Sequence, residues 1–328
     1  MTTTTGLDRL LFGDNQFFGV NHMSEEKARA QAVRFQDLSA MMDVLDAAQA
    51  EGIHSFMCTT HERIAEVADR VRADRVRYAS FAFLPCMPYA HKYANAMTEL
   101  GPLGALKSFL PADQSLVGLA LQGGAAVAKK DVESLIRMLI DAEMTMFDGV
   151  PTPVVFLQNV VVDLLLGLGF DDAFTVFAEH VRSRYGAEPG FITMNLPRLL
   201  DALDRVGLER PLVCSNLNKL GFRMSGGAEE YERALAERDF RAVAMSVYAS
   251  GAIPPREAFD WVVAHPRIES VVFGASSAAN IRGTIRAARR PDSSPKVVRN
   301  DCLFPSGAVT SRARIRRRTS LRPGITKR

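Results

Sequence analysis

The chain has 328 residues, 47% hydrophobic and 23% charged, the composition of a globular protein with enough length for a sizeable core. Its formal net charge of +3 conceals a split: residues 303–328 hold eight Arg or Lys and no acid, which leaves residues 1–302 at a net −5. No apolar run of about 18 residues and no basic-then-apolar leader occurs, which argues against a membrane span or a secretory signal and for a cytoplasmic protein.

The four cysteines, Cys58, Cys86, Cys214 and Cys302, form no CxxC pair and read as reduced thiols. The basic end reads as a disordered tail on a barrel domain of residues 1–302. It has no aromatic residue after Phe304 to stack on bases, so nucleic acid is not expected as a partner beyond charge contacts of the tail.

Taken in order, the chain alternates short apolar runs with helical periodicity. Leu10–Gly13 reads as a first strand followed by Asp14 and Asn15. A helix follows around Asp37–Ala48, ended by Gly52. Ile53–Cys58 is a second strand, with Thr59, Thr60, His61 and Glu62 at its carboxyl end. A helix from Glu62 to Arg72 leads to Val76–Leu84, a third strand. Leu116–Leu121 reads as a fourth strand ending in Gln122, and Asp131–Glu143 as a helix with Asp131 as its N-cap. Met144–Val150 reads as a weak strand. Val154–Leu168 is ambiguous between strand and helix, with Gln158, Asn159 and Asp163 as its only polar members. The helix Phe170–Tyr185 follows. Phe191–Met194, Leu212–Cys214 and Ala242–Tyr248 are further strands, followed by Asn195, by Ser215-Asn216-Leu217-Asn218-Lys219 and by Ser250. Helices fall at Pro197–Val206, Glu229–Glu237 and Pro254–Ala264.

The last strand lies in Ile268–Phe273, and Gly274-Ala275-Ser276-Ser277 form a small-residue turn into a helix whose first turn holds Asn280. Ser276 or Ser277 suits the N-cap. Free N–H groups at such a start attract anions. Nine strand candidates alternating with helices predict a parallel sheet, best met by a single (β/α)8 TIM-type barrel, with Met144–Val150 as the surplus candidate. A doubly wound sheet is the alternative, but neither GxGxxG after the first strand nor a P-loop is present.

Three stretches resemble the aldo-keto reductase barrel: Gly52–Thr60 its second-strand segment, Tyr248-Ala249-Ser250-Gly251 a late strand end, and Ile268–Ile281 its final strand and cofactor-phosphate turn. The resemblance implies a (β/α)8 barrel and an NAD(P) site at Gly274, Ser276, Ser277 and Asn280. It does not extend to that family's catalytic Asp, Tyr, Lys and His. The Asp position falls on Met57 or Cys58, the next loop reads His61-Glu62-Arg63 without Tyr, the third strand ends in Leu84-Pro85-Cys86 without Lys, and Gln122 stands where His is expected.

In such barrels the reactive groups sit at the carboxyl ends of the strands. The candidates there are Asp14, Asn15, His61, Gln122, Asn195, Asn216 and Tyr248, within a set rich in amides and hydroxyls. Asp14 after an apolar strand suits a general base, and His61 a proton shuttle. His22 and His91 lie in neighbouring loops, but no HxH or HxxxH spacing exists for a metal site. Cys58 and Cys214 end apolar strands and could act as nucleophiles or as small buried hydrophobes. The expected function is acid–base chemistry of lyase or isomerase type on a small polar, anionic or phosphorylated metabolite. Two alternatives remain: a divergent NAD(P)-dependent oxidoreductase and a non-catalytic binding barrel.

Overall fold

The alternation of apolar runs and helices closes into one ring. The computed structural model describes residues 7–20, 24–89 and 125–289. Eight parallel strands form a closed barrel in chain order. They are β1 (Leu10–Gly13), β2 (Ser55–Thr59), β3 (Ala82–Met87), β4 (Val154–Leu157), β5 (Glu188–Thr193), β6 (Leu212–Asn216), β7 (Arg241–Met245) and β8 (Ile268–Phe273). β8 pairs back onto β1 through Leu10↔Val271 and Phe12↔Phe273. The described helices are α1 (Glu25–Arg34), α2 (Leu38–Ala50), α3 (Glu62–Ala73), α4 (Ala125–Met144), α5 (Asn159–Leu168), α6 (Asp172–Tyr185), α7 (Leu196–Arg205), α8 (Ala228–Glu237), α9 (Pro255–Ala264) and α10 (Ala278–Ala288). Among the described residues no helix is long and apolar enough to cross a membrane. The basic tail lies outside the described residues.

Alternation along each strand divides the apolar residues between two cores. One set fills the barrel interior, including Leu11, Met57, Leu84, Cys86, Phe156, Ile192, Leu212, Cys214 and Val243. The other faces the helices and is rich in Phe, with Phe12, Phe17, Phe56, Phe81 and Phe83 in a chain of ring contacts. Phe156 fits inside because Gly190 on the next strand has no Cβ: a methyl there would lie 2.4 Å from the ring.

Several sequence expectations need correction. Leu116–Leu121 and Gln122 lie outside the described residues, and the fourth barrel strand is Val154–Leu157. The ambiguous run Val154–Leu168 is both elements in turn: a four-residue strand, an extended Gln158, then α5 ended by Gly169 at φ 72°. Met144–Val150 is not a strand; Thr145–Phe147 is a 3₁₀ turn, and the Thr145 hydroxyl donates to the Ala142 carbonyl. The third strand starts at Ala82 rather than Val76, because Asp74 organises a turn: its carboxylate accepts from Arg77 N and its carbonyl from Tyr78 N. Helix α4 begins at Ala125, so Asp131 lies within it and is not its cap.

Candidate active site

The carboxyl ends of the strands enclose a cavity of about 540 Å³. Met57, Cys86, Ile192, Cys214, Met245 and Val272 form its apolar floor, and four of these six carry sulfur. Polar groups stand above the floor: Asp14 and Asn15 after β1, Thr59 at the end of β2, Gln158 and Asn159 after β4, and Ser246, Tyr248 and Ser250 after β7. Among the described lining residues, Asp14 is the only carboxylate, and none is Lys, Arg or His.

Local geometry places Asp14. After Gly13 the chain turns through a 3₁₀ segment, Asn15–Phe18, closed by Phe17 N donating to the Asp14 carbonyl at 2.8 Å. The side chain, only 6% exposed, reaches across to the neighbouring strand. Its Oδ2 accepts from both the backbone N and the Oγ1 of Thr59, each at 2.7 Å. Burial raises the Asp14 pKa, and the Thr59 donors partly offset that rise.

The same low dielectric acts on the neighbours. Burial, reinforced by the Asp14 charge, holds the Cys58 and Cys86 thiols well above their usual range, and burial pushes Cys214 up to about 12. These cysteines are protonated hydrophobes, not nucleophiles. Tyr89, just beyond β3 and a cis Met87–Pro88 bond, is also raised, by burial and then by Asp14. Its backbone N donates to both oxygens of buried Glu143, which also accepts from the Thr60 hydroxyl. Glu143 thereby ties the ends of β2 and β3 together.

The other sequence candidates divide between the cavity and structural posts. Asn15 lines the cavity and is exposed. His61 stands in an adjoining cavity of about 640 Å³ with Phe18, Phe35 and Tyr89. It is the N-cap of α3: its Nδ1 accepts from Arg63 N at 3.1 Å, and its ring packs on Phe18 with centroids 4.4 Å apart. Asn195 caps α7, accepting from Arg198 N. Asn216 is buried and donates to the Arg223 carbonyl at 3.0 Å, which shapes the loop after β6. Neither Asn195 nor Asn216 lines the cavity. Tyr248 does, with its hydroxyl 3.4 Å from Thr284 Oγ1 on α10. Burial raises its pKa, and its ring forms part of the wall.

At the last turn, Ser277 is the cap of α10: its Oγ accepts from the backbone N of Asn280 at 3.3 Å. Arg34, at the end of α1, donates to the Ser276 carbonyl at 2.7 Å and so brings a guanidinium to this turn. Gly274 lines the cavity, but its missing side chain serves Gln16. A Cβ there would lie 2.3 Å from Gln16 Oε1. The Gln16 amide donates to the Gly13 carbonyl at 2.7 Å, and its buried Oε1 has no partner.

The wall after β7 is strained. Ser246, Ala249 and Ser250 have φ of 57°, 45° and 57°, followed by Gly251 at 89°. Non-glycine residues in the left-handed region cluster at functional sites. Sequence reasoning missed Gln158 and Asn159 as site residues because the fourth strand was misplaced, although they were the polar break in an apolar run. It also missed Tyr89 and Arg34, for which local sequence offers no signal. No group of three or more His, Cys, Asp or Glu suited to a metal occurs among the described residues.

No family model and no curated sequence matches the chain. Solved structures do. A Pseudomonas aeruginosa protein described as an aldo-keto reductase superposes with a TM-score of 0.56 at 12% identity, covering 88% of this chain and 92% of its own. An aldo-keto reductase from a Medee basin deep-sea metagenome gives 0.50 at 9% identity, covering 88% of each chain. One from Bacillus halodurans gives 0.50 at 12% identity, again covering 88% of each. The chain has the aldo-keto reductase-like barrel fold.

The expectation of lyase or isomerase chemistry is corrected by this result: the matching barrels are reductases, and the Asp14–His61 pair assumed for proton shuttling is split between two cavities. The residue after the fourth barrel strand is Gln158, not Gln122. The carboxylate at the end of β2 comes from β1.

Proposed function

We propose that the protein is a divergent NAD(P)-dependent oxidoreductase whose substrate sits in the mouth cavity beside Asp14. The observation that carries this reading is a buried carboxylate, the only one among the described lining residues, in an apolar cavity that adjoins the β8–α10 turn. The chain's own groups at that turn suit a dinucleotide. The first N–H groups of α10 and the guanidinium of Arg34, fixed on Ser276, favour phosphate. Ser277 and Asn280 form the cap at this turn, and Gly274 borders the cavity. The ring of Tyr248 and the loop Ser246–Gly251 offer a wall for a flat heterocycle. When bound, such a cofactor supplies or accepts hydride. The anion expected from the sequence is then the cofactor's phosphate.

Asp14 differs from the family's catalytic set in kind. Thr59 holds it on Oδ2 at the rim of the cavity. Its raised pKa suits transfer of a proton to or from a substrate heteroatom, or pairing with a charge. Met57, Met245 and the two thiols shape an adaptable apolar seat for the rest of the substrate. Fluorescence and calorimetric titration with NADPH and NADH tests the reading: saturable binding, lost on removal of the Arg34 and Ser277 side chains together, is expected. Absence of binding by either cofactor at millimolar concentration refutes it.

A further inference from the structure

The family resembled here uses Tyr, Lys and His, all donors or cations, to stabilise negative charge on a substrate oxygen. Among the described residues the charge at the mouth of this barrel has the opposite sign. Met57 or Cys58, Cys86 and Gln158 stand at the positions of Asp, Lys and His. Among the described lining residues Asp14 is the only carboxylate, and none is cationic. A buried carboxylate without a counter-ion is costly unless a ligand supplies one. Asp14 commits Oδ2 to the backbone N and the hydroxyl of Thr59. At the same strand end Gln16 Oε1 is buried with no donor, and the Gln16 amide cannot flip without losing its bond to Gly13. A carboxylate in a cavity with no cationic side chain among its described lining residues calls for a ligand that brings positive charge and N–H donors.

We infer that the mouth cavity is a cation site that takes a protonated amine or iminium, with Asp14 as its counter-ion and the sulfur-lined floor receiving its hydrocarbon part. This deepens the oxidoreductase reading and rests on it for the reaction alone. An iminium carbon accepts hydride from a reduced nicotinamide. The new C–H bond forms as the C=N π pair moves onto nitrogen, giving a neutral amine, and the dihydronicotinamide becomes the nicotinamide cation. No oxyanion develops, so no Tyr–Lys–His set is required.

Three five-membered ring probes of similar size test this on the full chain by ligand-observed NMR and calorimetry, without cofactor: pyrrolidinium, cyclopentanol and cyclopentanecarboxylate. Pyrrolidinium is expected to bind at least tenfold more tightly than cyclopentanol, and the carboxylate not at all. Asp14→Asn should remove the preference of pyrrolidinium over cyclopentanol. Equal affinity for pyrrolidinium and cyclopentanol in the unaltered protein overturns the inference, whether or not the variant folds; so does an Asp14→Asn protein that keeps the preference. Cation preference in a protein that binds neither NADPH nor NADH would leave the site standing and remove only the oxidoreductase reading. With both in place, NADPH should be consumed with 1-pyrroline at least tenfold faster than with cyclopentanone, and the reverse order overturns the substrate class.

Discussion

Replacing Gly274 by Ala tests what that glycine is for. By sequence it belongs to a phosphate turn; in the structure its missing Cβ makes room for a side chain. The added methyl would lie 2.3 Å from Gln16 Oε1 and 3.4 Å from its Cδ, roughly 1 Å inside ordinary contact for the oxygen. Gln16 is 5% exposed and held by its bond to the Gly13 carbonyl, so relief means rotating a buried amide away from its acceptor. The lost hydrogen bond contributes about 1 kcal/mol, and overpacking adds about 1 kcal/mol more. Gly274→Ala should therefore destabilise by about 2 kcal/mol, a Tm decrease of about 4–8 °C for a domain of this size. Thermal denaturation followed by circular dichroism, without ligand, reads the change directly. Gln16→Ala should lower stability by itself, and the double variant should be more stable than the sum of the two singles predicts, by about 1 kcal/mol or more. A Gly274→Ala protein that melts within 1 °C of the parent, or fully additive singles, refutes the packing account and returns Gly274 to a purely ligand-facing role.

Other consequences follow from the same site. Ser250→Val puts a β-branched residue at φ 57°, which costs about 1–2 kcal/mol and should lower Tm by about 2–8 °C; an unchanged Tm would show that the loop relaxes freely. Arg34→Ala should weaken NADPH about tenfold and NADH much less, as read by calorimetry, because an exposed guanidinium at the turn acts on the additional phosphate. The Asp14 pKa is raised in the folded state by burial. The folded protein then holds that proton more tightly than the unfolded chain, so stability attributable to Asp14 is present at acid pH and is lost as pH rises through its folded pKa. Asp14→Asn should therefore gain Tm relative to the parent as pH rises from about 4 towards 7, while Cys58, Cys86 and Tyr89 stay protonated throughout that range; a difference that shrinks with pH would contradict the sign.

The barrel was legible because its pattern is redundant. Apolar runs such as Leu10–Gly13, Leu212–Cys214 and Ile268–Phe273 recur with helices between them, and any few suffice to suggest parallel closure. The fourth strand was not legible, because Val154–Leu168 holds a strand and a helix without an intervening turn, and only Gln158-Asn159 mark the seam. Asp14 could be found by its place after an apolar strand. His61 and Asn195 occupy equivalent places and cap helices instead. The difference lies in whether the backbone leaves the strand end inward or turns at once into a helix, a property of the loop's path rather than of residue type. Arg34 reaches the β8 turn from 242 positions away in sequence, and no local pattern announces such a contact.

The β1–β2 register explains how a carboxylate carried by β1 comes to lie at the end of β2. Phe12 is opposite Phe56 and Gly13 opposite Met57. Asp14 is the next residue, one step beyond the ladder, where its carboxylate meets Thr59 and influences Cys58. The family resembled here has its Asp at Met57 or Cys58. A comparison by sequence position therefore reports an acid lost from β2, whereas the structure has one supplied by β1 at the end of β2. No described cation compensates in the same way: the end of β3 offers Cys86 and Met87, and that of β4 offers Gln158. Among the described lining residues one carboxylate is kept and no cation, while Thr59, Gln158, Asn159 and Tyr248 remain as neutral donors. That charge balance, rather than the count of missing residues, is the basis for proposing a positively charged ligand.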